Sequence, residues 1–208
     1  LTASGIDAPL LITNGTNLAA GNDPLLTPLG VTTLPVGVPV RQLTLNEAFD
    51  AFGRLIQLEG TNLPLVNAKT GFGRAYLDTT TEFMNRDAVE VWQIANLTGD
   101  THPIHFHLVN VQIISRQPFS VNSYNGVPNV KGAPIPPTPD ERGWKETVRM
   151  NPGEVTTVIM QFKLPRVPFD VPTTPRNAAS ANQPGLGLVL PPGAVANEYV
   201  WHCHILEH

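Results

Sequence analysis

The stretch Glu198-Tyr199-Val200-Trp201-His202-Cys203-His204-Ile205-Leu206-Glu207-His208 decides how the rest of the chain is read. Tyr199, Val200 and Trp201 are aromatic or β-branched, which favours an extended strand. On a strand, successive side chains point to opposite faces. His202 and His204 then share one face and Cys203 takes the other. One metal ion cannot easily be reached by all three, whereas two sites on the two sides of the strand can. The peptide around Cys203 would then bridge a one-metal site and a multi-metal site.

A second cluster, His102-Pro103-Ile104-His105-Phe106-His107, lies about a hundred residues upstream, and the two stretches hold all six histidines and the one cysteine. His105 and His107 share a face by their i, i+2 spacing. His102, three residues before His105 and beyond Pro103, is free to point elsewhere. A lone thiolate among imidazoles suits copper, because two histidines and one cysteine make the trigonal set of a blue-copper site with a weak axial ligand.

HPIHFH and HCHILEH together resemble the C-terminal cupredoxin domain of multicopper oxidases, the laccase-like enzymes. The resemblance extends over RQLTLNEAFDAFGRLIQLEGT, VEVWQIANLTGDTHPIHFHLVNVQIISRQPF, GWKETVRMNPGEVTTVIMQF and EYVWHCHILEH, and covers roughly residues 36–208. These segments are similar to the bacterial branch that contains phenoxazinone synthase and the spore-coat laccases.

The resemblance implies a role for each ligand. His102, Cys203 and His208 would bind type 1 copper, His105 type 2 copper, and His107, His202 and His204 the type 3 pair. It implies one-electron oxidation of a phenolic or aromatic amine substrate, or of a metal ion, and reduction of dioxygen to water at a three-copper cluster. Electrons would travel through Cys203 and its flanking histidines. Such a cluster takes eight histidines, of which this chain offers four. The other four are expected from two His-x-His motifs in a preceding cupredoxin domain. Residues 1–35 are expected to be a linker or extended arm from that domain, and residues 36–208 the C-terminal cupredoxin domain without its last strand and without the axial methionine. The chain alone is expected to be inactive. An extracytoplasmic location, periplasmic or secreted, also follows from the resemblance.

Composition is consistent with this. At 208 residues, with 41% hydrophobic and 14% charged residues, the chain can bury a sizeable core. Its 21 prolines and 17 glycines suit an all-β sandwich better than a helical bundle. The net charge of −4 offers no basic footprint for nucleic acid. No apolar run approaches the length of a membrane span. A single cysteine allows no intrachain disulfide.

The expected fold is a Greek-key antiparallel β-sandwich, cupredoxin-like, with long Pro-rich loops. Strands are expected at 40–45, 53–58, 88–95, 106–115, 147–150, 155–162 and 199–204. The turn AFDAFG joins the first two, and Asn151-Pro152-Gly153-Glu154 makes another. Residues 118–143 and 164–196 read as long loops, mobile or variable and bordering the substrate approach to His208.

Other readings weigh less. A zinc site of one cysteine and three histidines would leave ligands idle. A Cys–His nucleophile lacks a base, since alternation turns the flanking histidines away from Cys203. A copper electron-transfer module holding type 1 copper alone, or a copper-free fragment, are the remaining alternatives. Trp92 and Trp201 read as core residues. Asn14-Gly15-Thr16 and Asn96-Leu97-Thr98 match the N-glycosylation pattern, which is common by chance.

Overall fold

The computed structural model describes residues 24–64, 71–76, 78, 80–164 and 197–205. The expectations placed on 165–196, on His208 and on Asn14-Gly15-Thr16 lie outside the described residues. The architecture is all-β, in two sheets. The strands are β1 (Val40–Phe49), β2 (Leu55–Thr61), β3 (Gly73–Arg74), β4 (Val89–Asn96), β5 (His102–Phe106), β6 (Val111–Pro118), β7 (Trp144–Lys145), β8 (Thr147–Met150), β9 (Glu154–Gln161) and β10 (Trp201–Cys203). Among the described residues the only helical turns are short 3-10 pieces at Val121–Ser123 and Pro139–Glu141.

The larger sheet has the order β3-β2-β1-β4-β9-β6-β7, and the smaller the order β10-β5-β8. Pairing is antiparallel throughout except between β1 and β4, which run parallel with Leu43 opposite Ile94. Consecutive strands repeatedly change sheet: β4 lies in the larger, β5 in the smaller, β6 in the larger again. Strands of the small sheet, which carries the histidines, thereby alternate along the chain with strands of the large one, and the core holds inward residues of both.

That core is built from alternating inward residues. Leu43 and Leu45 of β1, Trp92 and Ile94 of β4, Ile104 and Phe106 of β5, and Val158 and Met160 of β9 form one buried cluster, with Trp201 and Cys203 packed against it. Trp92 is central: its ring meets Phe106 at 6.1 Å, Phe162 at 5.9 Å and Trp201 at 5.7 Å. Its indole N–H donates to Glu90 Oε2, which also receives Arg41 Nε at 3.0 Å. The buried charge pair is thus satisfied, as burial demands. Trp92 is a core residue, as its sequence context suggests, and Trp201 is partly buried against the same core.

The other face of the large sheet is covered as well. Val91, Ile114 and Ile159 are buried there beneath Leu26 and Val38. Gln112 holds the covering segment by accepting from the Leu26 and Thr27 amides and donating to the Thr27 carbonyl at 2.6 Å.

Several strand boundaries differ from expectation: β1 runs on to Phe49 instead of ending at 45, and the last strand covers only Trp201–Cys203 of the expected 199–204. Gly53 does not open the second strand. It lies in the β1–β2 turn at φ 77°, where Asp50 Oδ1 accepts from the Phe52 and Arg54 amides and closes the turn. Residues 106–115 are not one strand: β5 begins at His102 and ends at Phe106, and β6 starts at Val111. Leu108, with φ 71°, breaks the extension so that the chain can cross from one sheet to the other. The loop at 118–143 is fastened from within. Arg116 and Ile135 exchange backbone bonds of 2.8 and 2.7 Å, and Glu141 binds Arg116 at 2.6 Å.

Candidate metal centre

β5 and β10 form the site together. They pair antiparallel, with Trp201 opposite Phe106, His202 opposite His105 and Cys203 opposite Ile104. The His204 amide extends the ladder to Pro103 O at 2.9 Å and the His107 amide to Val200 O at 3.0 Å. Directly opposed residues in such a pair share a face. His102, Ile104, Phe106, Trp201 and Cys203 therefore look inward, and His105, His107, His202 and His204 look outward. His102 opens β5 on its buried face, pointing away from His105 and His107.

On the inner face, His102 is 1% exposed and its Nδ1 lies 3.4 Å from Cys203 Sγ. The sulfur also receives the Ile205 amide at 3.4 Å. Burial pushes the Cys203 thiol up from its usual range; the Ile205 N–H opposes this, and Glu59 adds to it. A cavity of about 510 Å³ opens beside these residues between β2 and β10, with Leu45, Leu58, Glu59, Glu82 and Tyr199 among its walls. Glu59 is held well above the usual carboxyl range by burial and then by Glu82.

The outer face is a cage of imidazoles. Ligand atoms of His105, His202 and His204 all lie within 4.8 Å of one another. His107 Nε2 stands 3.1 Å from His202 Nε2. His105 directs Nδ1 at Glu146 O, 3.0 Å away, and at Thr147 Oγ1, 3.1 Å away. A carbonyl can only accept, so this nitrogen carries the proton and Nε2 presents its lone pair outward. His107 is exposed; the slight desolvation it undergoes, and then the neighbouring His105, His202 and His204, hold it below the usual histidine range. A lowered value favours the neutral imidazole, the form that binds metal.

The residues present fit a soft, imidazole-binding metal. Histidine nitrogens sit about 2.0–2.1 Å from such ions, so two nitrogens 3.1 Å apart can share one. The inner pair joins a sulfur to an imidazole nitrogen, the donor set that selects copper. Of the seven predicted ligands, six are described, and the fold brings all six to the two faces of one strand pair. His208 lies outside the described residues. Residues behind the ligands were not evident from sequence: Thr98, Glu47 and Asn96 around His102, and Glu146 and Thr147 behind His105.

A two-sheet β domain with a cysteine and histidines divided between the faces of one strand pair defines a copper-protein class. Comparison with known proteins agrees. The multicopper oxidase family profile matches residues 55–167, more than half of the chain. A laccase of Bacillus subtilis is 32% identical over 156 residues, covering 70% of this chain and 25% of that protein. A laccase of Bacillus stratosphericus is 32% identical over 170 residues, covering 81% and 25%. A solved structure of a variant of the McoA multicopper oxidase from Aquifex aeolicus aligns with 90% of this chain and 31% of that one, at 20% identity and a TM-score of 0.45. The chain belongs to the multicopper oxidase family, whose metal is copper. It spans about a quarter of the length of the two laccases. Among the described residues, no helix is long and apolar enough to cross a membrane.

Proposed function

We propose that this chain is the C-terminal copper-binding part of a laccase-like oxidase. The protein oxidises phenolic or aromatic amine substrates, or metal ions, in one-electron steps and reduces dioxygen to water. The observation that carries this reading is the two-faced strand pair, with Cys203 and His102 inward and His105, His107, His202 and His204 outward. His102, Cys203 and His208 would hold type 1 copper. His105 would hold type 2 copper, and His107, His202 and His204 the type 3 pair. Bound copper supplies reversible one-electron chemistry at the first site and multi-electron chemistry toward dioxygen at the second.

The chain's own residues do the positioning. β10 fixes the two sites back to back, joined by the His202-Cys203-His204 backbone. The packed face of Trp92, Phe106 and Trp201 backs the inner side with apolar surface. Four outward histidines, of which His107 and His204 are exposed among the described residues, invite completion by a preceding cupredoxin domain, and residues 1–35 would be the arm that leads from it.

The test is copper analysis and a visible spectrum of the full-length protein. About four copper ions per molecule and a thiolate-derived blue band are expected for such a ligand set. Copper without a blue band would remove the role given to Cys203.

A further inference from the structure

The Asn96-Leu97-Thr98 triplet is not a surface sequon: Asn96 is 0% and Thr98 8% exposed. Its side chains instead form a chain of hydrogen bonds that ends on His102. Asn96 Nδ2 donates to Asp100 O at 2.8 Å and to Met150 O at 3.0 Å, which settles the orientation of the amide. Its Oδ1 accepts from the Thr98 amide at 2.9 Å and from the Thr98 hydroxyl at 2.8 Å. The Asp100 amide donates to Thr98 Oγ1 at 3.2 Å. Thr98 Oγ1 then lies 2.7 Å from His102 Nε2.

A hydroxyl has one hydrogen to give. Two carbonyl oxygens take it here, Asn96 Oδ1 at 2.8 Å and Asp100 O at 3.3 Å. The ring must therefore donate the remaining bond, from Nε2–H to Thr98 Oγ1. Glu47 Oε1, 3.8 Å from Nε2, places a second acceptor on the same side. A neutral imidazole protonated at Nε2 presents its lone pair at Nδ1, the atom 3.4 Å from Cys203 Sγ.

We infer that Asn96 and Thr98 are positioning residues that lock His102 in its Nε2–H tautomer and aim Nδ1 at the copper shared with Cys203. The inference rests on the reading of His102 and Cys203 as ligands of one copper ion. Orienting partners of ligating histidines are usually carboxylates, backbone carbonyls or water. Here a hydroxyl does the work, because Asn96 has already claimed its proton.

The test uses the full-length protein. In the copper-depleted form labelled with 15N-histidine, long-range proton–nitrogen correlation places the neutral His102 proton on Nε2. In the copper-loaded form, Thr98→Val loses type 1 copper to a competing chelator with about tenfold or greater loss of affinity, and its type 1 EPR signal changes. Thr98→Ser restores both. Wild-type affinity and EPR in a folded Thr98→Val protein overturn the inference, as does a Ser variant as impaired as the Val variant. If Thr98→Val does not fold, the tautomer of the unsubstituted protein decides, with Nδ1–H overturning it and Nε2–H sustaining it. Cys203→Ser, run in parallel, separates the two levels. A blue band that survives it defeats the ligand reading itself, whereas a band lost there with Thr98→Val unaffected defeats the positioning role alone.

Discussion

His107 Nε2 and His202 Nε2 approach to 3.1 Å across the end of the β5–β10 ladder, although 95 residues separate them in sequence. The register that opposes His202 to His105 leaves His107 just past the strand end, where the His107 amide still bonds Val200 O. Cys203, one residue from His202, is on the other face.

This division predicts separable losses in the full-length enzyme. Cys203→Ser should abolish the blue absorption and stop substrate oxidation, since thiolate is the ligand that distinguishes type 1 copper. His107→Ala should keep the blue band and lose dioxygen reduction, read by oxygen consumption beside the spectrum. Equal loss of the blue band in both variants would contradict the face assignment.

Glu141 should control part of the acid stability. It is buried; that burial pushes its carboxyl up, but the Arg116 bonds and charge, with Thr138 and Arg149, outweigh it and leave the group below its ordinary value of 4.5. A depressed carboxyl stabilises the fold above its unfolded value and loses that contribution as pH falls through the folded value. Glu141→Gln should flatten the acid limb of the stability curve below about pH 4.5. At neutral pH it should cost on the order of 3 kcal/mol, because Arg116 is left buried beside a neutral partner. Denaturant melts across pH would show it, and an unchanged acid limb would count against this account.

Alternation over 198–204 and the i, i+2 spacing of His105 and His107 were enough to sort these ligands by face, because a strand's period is a local property. Which sheet a strand joins is not local. Apolar residues run on from Phe106 to Ile114 without marking the crossing that Leu108 makes at positive φ. The parallel β1–β4 pair has no turn signal, since its partners lie about fifty residues apart. Thr98 was hidden for a similar reason. An Asn-x-Thr triplet in a turn looks like surface, and only tertiary packing reveals that Met150 O and the His102 ring enclose it.

Gly60 marks a close approach of backbones on the cavity side of β2. A Cβ there would land on Phe72 O and within 2.9 Å of Thr44 Oγ1. The β2–β3 pairing of Gly60 with Gly73 leaves the carbonyl little room to retreat. Gly60→Ala should destabilise the protein by about 1–3 kcal/mol, the usual range for overpacking. Thermal unfolding at fixed pH would measure it, and a neutral or stabilising effect would show that the carbonyl yields.

The two histidines best anchored by second partners should respond differently to loss of a hydroxyl. His102 Nε2 has Thr98 Oγ1 at 2.7 Å, and Glu47 Oε1 stands at 3.8 Å, beyond hydrogen-bond range. His105 Nδ1 has two acceptors in range, Glu146 O at 3.0 Å and Thr147 Oγ1 at 3.1 Å. Removing the Thr147 hydroxyl leaves the carbonyl in place, so the proton stays on Nδ1 and Nε2 stays outward. Thr147→Val should therefore change copper affinity at the outer site less than about tenfold, short of the 10–100-fold usual when an orienting partner is lost. Chelator competition on the full-length protein, following the outer coppers by EPR and total copper, would read this. A loss of a hundredfold would mean that the hydroxyl, and not the Glu146 carbonyl, sets the ring.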